Sequence, residues 1–446
     1  MGSIFKTESN ITDKIVTLLF LVNFLLLQWI QQIPQFWRFK LQIVVNFSVI
    51  LVSILFLGKL RRHKLFKINI LYILLATVGL LCVINGIRFH VVGYVAAGLG
   101  FAIIYPLISI FLEKESRYRL YKDFATAGHY SFICLLIISF FIAPGLVNQQ
   151  YASILLNANG LGQELNAMSI CEMYLAYISN GKKRSFHLIF FSISLILTIF
   201  TGSRTAMIGI ALAMIGSLVY FVLTKTEKKV LLKNTAIVII ATAIALPSCF
   251  FVFGKLNPIL NDAFKAIVRG NSTLYKIAKI HDYIPESEYG GSLSNVLDKT
   301  FWRIDKGIND NSSIDSGRKL IWEKFISEIS LTGHASATIE LGEGPERRHY
   351  DAHNSIIQMA YSYGIIAGVF YTIFIISYSI LIIVFLYRSI ESKLKNEEIL
   401  LAALCLAVFI VQSMLSANAL PETTESALIF WLSTSSIVTG RYQREE

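Results

Sequence analysis

Residues 185–223 read SFHLIFFSISLILTIFTGSRTAMIGIALAMIGSLVYFVL, and Arg204 is the single formally charged side chain among them. Two apolar runs, 185–201 and 205–223, flank the small-residue stretch Thr201-Gly202-Ser203-Arg204-Thr205. A helix needs about 20 mostly apolar residues to cross a bilayer. In hydrocarbon the backbone must satisfy its own hydrogen bonds, so such runs are helical. The stretch therefore reads as two membrane helices joined by a tight turn that carries one guanidinium.

The pattern extends along the whole chain. Similar runs lie near 14–33, 38–58, 67–86, 91–112, 123–143, 161–179, 234–253, 357–387, 397–416 and 424–440, which makes twelve in all. Of the 446 residues, 54% are hydrophobic and 15% charged. A soluble domain carries about 25% charged residues, and disorder requires low hydrophobicity with high charge, so both classes are excluded. The expected fold is an all-α integral membrane protein of about 12 transmembrane helices, with a large, mostly helical extracytoplasmic loop between spans nine and ten. Its expected units are 1–253 (spans one to nine), 254–352 (the outer loop) and 353–446 (spans ten to twelve).

The net charge of +11 is informative only by location. With the N-terminus inside, 23 of the 40 Lys and Arg fall on inner segments, four on short outer segments and 13 in the long loop. That alternation follows the positive-inside rule, from which long loops are exempt, and places both termini in the cytoplasm. The excess charge thus records orientation and does not point to nucleic acid. The first run lacks a small-residue cleavage site and is expected to act as a signal anchor. All five cysteines fall in expected spans and read as apolar packing residues.

The loop 254–352 holds 14 acidic and 13 basic residues and is rich in Asn, Ser, Asp and Gly. Long loops are usually functional. Within it, Ile321, Trp322, Phe325, Ile326 and Ile329 recur at helical spacing, so 318–329 is expected to be an amphipathic helix, with Asp315 or Ser316 as its N-cap.

Few charged residues lie near the outer ends of the spans, and each has two readings. Arg204 either snorkels to the interface or serves a ligand. Arg318, one turn before Trp322, reads on spacing alone as a surface arginine whose stem packs on the indole. His353, in the sequence Arg347-Arg348-His349-Tyr350-Asp351-Ala352-His353-Asn354, is either an interface residue or a proton acceptor. Arg88, Arg347, Arg348 and Asn354 are further candidates. Arginines at that depth suit the phosphates of a lipid-linked diphosphate, and a histidine suits a general base for a sugar hydroxyl. No Asp-x-Asp occurs, which disfavours a metal-dependent transferase; no metal ligand and no cofactor is expected. In span six, Glu164 and Glu172 lie eight residues apart, near one helical face, and either mark an ion path or pair with another helix.

Four pieces, in order, are similar to a known family. They are Asn157-Ala158-Asn159-Gly160-Leu161-Gly162, then Gly202-Ser203-Arg204-Thr205-Ala206, then Ser316-Gly317-Arg318 with Trp322, and last His353-Asn354 followed by Tyr363-Gly364-Ile365-Ile366-Ala367-Gly368. The chain resembles the O-antigen ligase and Wzy-type polysaccharide polymerase superfamily over about 155–370. The resemblance implies a bacterial cytoplasmic-membrane glycosyltransferase whose active site faces outward. Such enzymes take a glycan from undecaprenyl diphosphate, without metal, and transfer it to a sugar hydroxyl. The acceptor is another lipid-linked repeat unit in a polymerase and lipid A-core in a ligase; a chain-length regulator is among the implied partners. By motif match, Arg204 and Arg318 would hold the diphosphate and His353 would be the base. One departure is Gly333-His334-Ala335, where the family often has Gly-x-Gly after the tryptophan helix. A transporter or lipid-linked oligosaccharide flippase is the alternative from a different class. It would suit twelve spans and Glu172, but it gives no role to the long loop or the outer arginines.

Overall fold

In the computed structural model every one of these runs holds a helix. The structure describes residues 11–30, 41–57, 69–141, 146–147, 150–151, 158–223, 228–252, 318–341, 348–392, 397–415 and 425–438. The helices are α1 (Ile11–Ile30), α2 (Leu41–Leu57), α3 (Ile70–Phe89), α4 (Val92–Leu99), α5 (Tyr105–Phe111), α6 (Lys114–Phe141), α7 (Ala158–Ile178), α8 (Gly181–Phe200), α9 (Arg204–Leu223) and α10 (Lys228–Phe251). Then come α11 (Arg318–Ser327), α12 (Ser355–Tyr363), α13 (Ile365–Ser392), α14 (Glu397–Leu415) and α15 (Glu425–Val438). Two short antiparallel ribbons complete the list: β1 (Leu146–Val147) with β2 (Gln150–Tyr151), and β3 (Ile339–Leu341) with β4 (Arg348–Tyr350).

Among the described residues, five helices are long and apolar enough to cross a membrane: α3, α8, α10, α13 and α14. Outward-facing side chains are apolar as well. Leu55, Ile84, Leu232, Ile239 and Ile383 are all more than half exposed. A surface of this kind suits lipid as the solvent, and the chain is a predominantly α-helical integral membrane protein. Most of the expected outer loop, including the N-cap candidates Asp315 and Ser316, lies outside the described residues. Its described part is 318–341 and 348–352, which holds α11, ending two residues earlier than expected, the loop 328–338 and the β3–β4 ribbon.

Two expected spans are not continuous α-helices. The run 91–112 contains a π-helical turn at Gly100–Ile104, between α4 and α5. Pro106 lacks an N–H and cannot serve the carbonyl of Ala102 four residues back. The Tyr72 hydroxyl donates to that carbonyl at 3.2 Å instead. The run 357–387 breaks at Gly364 (φ +94), which separates α12 from α13.

Close helix contacts fall where side chains are smallest. A Cβ on Gly98 would lie 2.4 Å from the Gly79 carbonyl oxygen, and one on Gly86 would lie 2.6 Å from the Val95 nitrogen, which is how α3 and α4 approach. The polar character of α7 also has a physical reason: the helix is enclosed by protein. Glu164, Asn166, Ser169 and Glu172 are all buried, and α7 packs against α6, α8, α9 and α14. Near the start of α6, the fully buried Arg117 pairs with Glu398 at the start of α14 at 2.9 Å and donates to the Leu112 carbonyl. An aromatic group around Trp431, with Phe101, Phe374, Phe409 and Phe430, fills the space between α13, α14, α15 and the π turn. All five cysteines are free.

Candidate functional site

The site is built on segment 351–354. Asn354 is the N-cap of α12, its side-chain oxygen accepting from the backbone N–H of Ile356 and Ile357 at 3.0 and 3.2 Å. Its amide donates to the carbonyl of Met414, near the end of α14, at 3.3 Å. Both ends of that side chain are therefore engaged in holding the backbone. Ala352 is pinned from two sides. Its N–H donates to Gln358 Oε1 at 2.9 Å, and its carbonyl accepts from the Trp322 indole at 2.7 Å.

Between these anchors, His353 adopts φ +46, a left-handed conformation that costs a non-glycine residue about 1–2 kcal/mol. The flanking hydrogen bonds hold it there. Asp351 Oδ1 accepts from the His353 backbone N–H at 3.1 Å and faces its ring Nδ1 at 3.0 Å. This directs Nδ1 to the carboxylate and leaves Nε2 as the nitrogen that can take up a proton. Partial burial of the Asp351 carboxyl would raise its pKa. The hydrogen bond and charge of His353, together with Arg318, outweigh that and hold it below the usual carboxylate range. Arg318, at the first position of α11, therefore acts electrostatically on the same group as His353. Trp322, one turn later, ties α11 to Ala352. The loop with Gly333-His334-Ala335 is ordered around this unit: His334 donates its N–H to the Ser362 carbonyl at 3.2 Å, and its ring stacks on Tyr361 at 4.2 Å.

Arg204 opens α9. A Cβ on Gly162 would lie 2.7 Å from the Ala206 Cβ and 3.0 Å from the Ser203 Cβ, so the first two sequence pieces are packed together. Asn166 donates to the Ala206 carbonyl at 3.1 Å. Further along, Gly209 faces Val408 on α14, and one cavity is lined by Met214 and Ser217 of α9 with Leu400 and Leu404 of α14. Numbers rising on one helix as they fall on the other make the pair antiparallel. With equal rise per residue, Arg204 stands level with residue 413. Asn354 bonds to Met414 at that level, so Arg204 and the His353 segment share one end of α14.

The other candidates differ. Arg88 is exposed at the end of α3, its guanidinium 4.9 Å from the centroid of the adjacent Phe89 ring. It stands one turn from Asn85, whose side chain donates to the Tyr363 carbonyl at the end of α12. Arg347 and the side chain of Arg348 lie outside the described residues. His349 precedes His353 by four residues, but β4 ends at Tyr350 and no helix connects them. Glu172 is about 15 Å further along α7 than Gly162, ten residues at 1.5 Å each, and so is away from this end. In the sequence Asp351 is only a neighbour of His353, with no sign of the pairing, and Gln358 does not stand out as a support for Ala352. A glutamine in the apolar run 355–363 was the available signal.

Comparison with known proteins favours one of the two classes left open by the sequence. Residues 189–372 match the family model described as O-antigen ligase. Residues 189–372 carry an O-antigen ligase family domain. The match runs from the middle of α8 into α13 and contains Arg204, Arg318 and His353. The resemblance to the O-antigen ligase and Wzy-type polymerase superfamily therefore stands, and the family domain points to a glycosyltransferase-like enzyme acting on lipid-linked glycans in a membrane. No curated protein and no solved structure matches the chain.

Proposed function

We propose that the protein polymerises a surface polysaccharide: it transfers a glycan from undecaprenyl diphosphate to a hydroxyl of another lipid-linked repeat unit, at the outer face of the bacterial cytoplasmic membrane. The observation that carries this reading is the Asp351–His353 pair beside Arg318, at the end of α14 that also holds Arg204.

In this mechanism Asp351 holds His353 with Nε2 toward the acceptor. The hydroxyl loses its proton to Nε2 as its oxygen bonds to the anomeric carbon. The bond from that carbon to the phosphate oxygen breaks, and the lipid diphosphate leaves with the electron pair. Arg204 and Arg318 stabilise the charge that develops on it, the usual role of preorganised cations at a leaving group. No resident metal or cofactor takes part. In the intact membrane both termini are cytoplasmic, twelve helices span the bilayer, and the segment 254–352 covers the outer site and selects the acceptor.

The family description favours a second reading, a ligase that uses lipid A-core as acceptor. One experiment tests both. Purified protein is incubated with a lipid diphosphate-linked repeat unit, with and without lipid A-core, alongside Arg204→Ala, Arg318→Ala and His353→Ala. Elongation on the lipid carrier supports polymerisation, and transfer only to lipid A-core supports ligation. Unimpaired transfer by all three variants would refute the assignment of the site.

A further inference from the structure

Glu172 is a second, unrelated centre of polar chemistry. Its side chain is fully buried, and its carboxylate is gripped on both oxygens. Oε1 lies 2.6 Å from Nδ1 of His129 on α6, and Oε2 lies 2.8 Å from Nδ1 of His187 on α8. The two imidazoles sit 5.2 Å apart in a T-shaped arrangement, and the rings of Phe186 and Phe190 pack 5.4 and 4.9 Å from His129. Among the described residues no lysine or arginine pairs with Glu172. Two neutral imidazoles donating to it would satisfy its hydrogen bonds and leave a full negative charge in an apolar, helix-enclosed position, which is costly.

The same three side chains also offer the donor set of a cation site. Both histidines turn Nδ1 to the carboxylate, one to each oxygen, and a ligand atom from each of the three residues lies within 4.8 Å of the others. Two imidazoles and one carboxylate form a set that zinc accepts, with ligand bonds of about 2.0–2.2 Å. Tetrahedral bonds of that length put the ligand atoms about 3.3–3.5 Å from each other, so shifts of under about 1 Å would seat the ion. Its charge would replace the missing counter-charge, and the ligands come from three separate helices.

We propose that His129, Glu172 and His187 form a binding site for one divalent cation of the zinc class, which ties α6, α7 and α8 together at a distance from the transfer site. Three protein ligands leave a fourth position for water. The role is structural: the ion crosslinks helices that hold the Arg204 end of the bundle in register.

The test uses the full-length protein in detergent. It is stripped with a chelator and titrated with Co²⁺, then with Zn²⁺. The expected results are visible ligand-field bands of tetrahedral Co²⁺, their loss when Zn²⁺ displaces it, about one ion per chain, and a melting temperature that rises with Zn²⁺. Glu172→Gln keeps the volume and hydrogen bonding of the side chain and removes the anionic ligand. Affinity should fall by more than the about 10–100-fold that loss of an outer partner costs. His187→Ala, at the rim of the cluster, should behave alike, and it decides the question if Glu172→Gln is not monodisperse. A wild-type protein that binds neither ion and melts at the same temperature with and without Zn²⁺ would overturn the proposal. So would wild-type affinity in either variant.

Discussion

Gly162→Ala should disable the protein, and Gly216→Ala should not. A Cβ at position 162 would lie 2.7 Å from the Ala206 Cβ and 3.0 Å from the Ser203 Cβ. Carbon atoms sit comfortably at about 3.5–4.0 Å, so the shortfall at Ala206 is about 0.8 Å or more. A flexible side chain could swing away, but a Cβ moves only with its backbone. Alpha-helices α7 and α9 must therefore separate, and Ser203 and Arg204 move with α9. Overpacking of this kind costs about 1–3 kcal/mol, and a displacement near 1 Å at a reacting group can cost about 100-fold in rate. At Gly216, also in α9, an added Cβ meets nothing within 4 Å. There alanine should stabilise slightly, because glycine costs a helix interior about 0.8–1.0 kcal/mol relative to alanine. Thermal melts followed by size-exclusion chromatography measure the first effect, and long-chain surface polysaccharide in cells that retain the protein measures the second. The reasoning fails if Gly162→Ala matches Gly216→Ala in both assays.

Three further outcomes are expected. His353→Ala should lower the transfer rate by about 10²–10⁴-fold, as read by single-turnover kinetics on the purified protein below its melting transition. Glu398→Ala leaves Arg117 buried without its carboxylate and should cost about 3–5 kcal/mol, while replacing both residues by methionine should cost far less, as read by denaturant unfolding in detergent. Asp351 has a folded-state pKa below the ordinary carboxylate value of 3.8, so its contribution to stability is fully present above that value and is lost as the pH falls below it. The melting-temperature gap between wild type and Asp351→Asn should therefore persist down to the ordinary carboxylate range and close beneath it.

The helices were legible because a membrane span declares itself in local composition. The interruptions were not, since each depends on a distant partner: Tyr72 for the π turn before Pro106, and the loop at Leu331–Gly333 for the break at Gly364. Arg204, Arg318 and His353 stood out as polar residues at apolar boundaries, and the family match contains all three. Asn354 read as a polar candidate, whereas its side chain is committed to capping α12 and holding α14. Glu172 was visible as a charge in a span. Its partners were not, because His129 and His187 lie 43 and 15 residues away with no local pattern to link them.

The break at Gly364 bears on how the protein can move. Its two sides are closed by the preceding loop: Ile365 donates its N–H to the Ser330 carbonyl, and the Ser362 carbonyl accepts from His334. A Cβ on Gly333 would lie 2.4 Å from the Ser362 oxygen, and one on Gly364 would lie 2.3 Å from the Leu331 oxygen, so no room exists for sliding. Peeling the loop away would strand backbone groups that the broken helix cannot satisfy itself, at about 1–3 kcal/mol for each that stays buried. The loop and α12 therefore travel as one rigid piece. Any motion of the surrounding helices must pivot elsewhere, and His353, just ahead of the α12 cap, is carried with that piece.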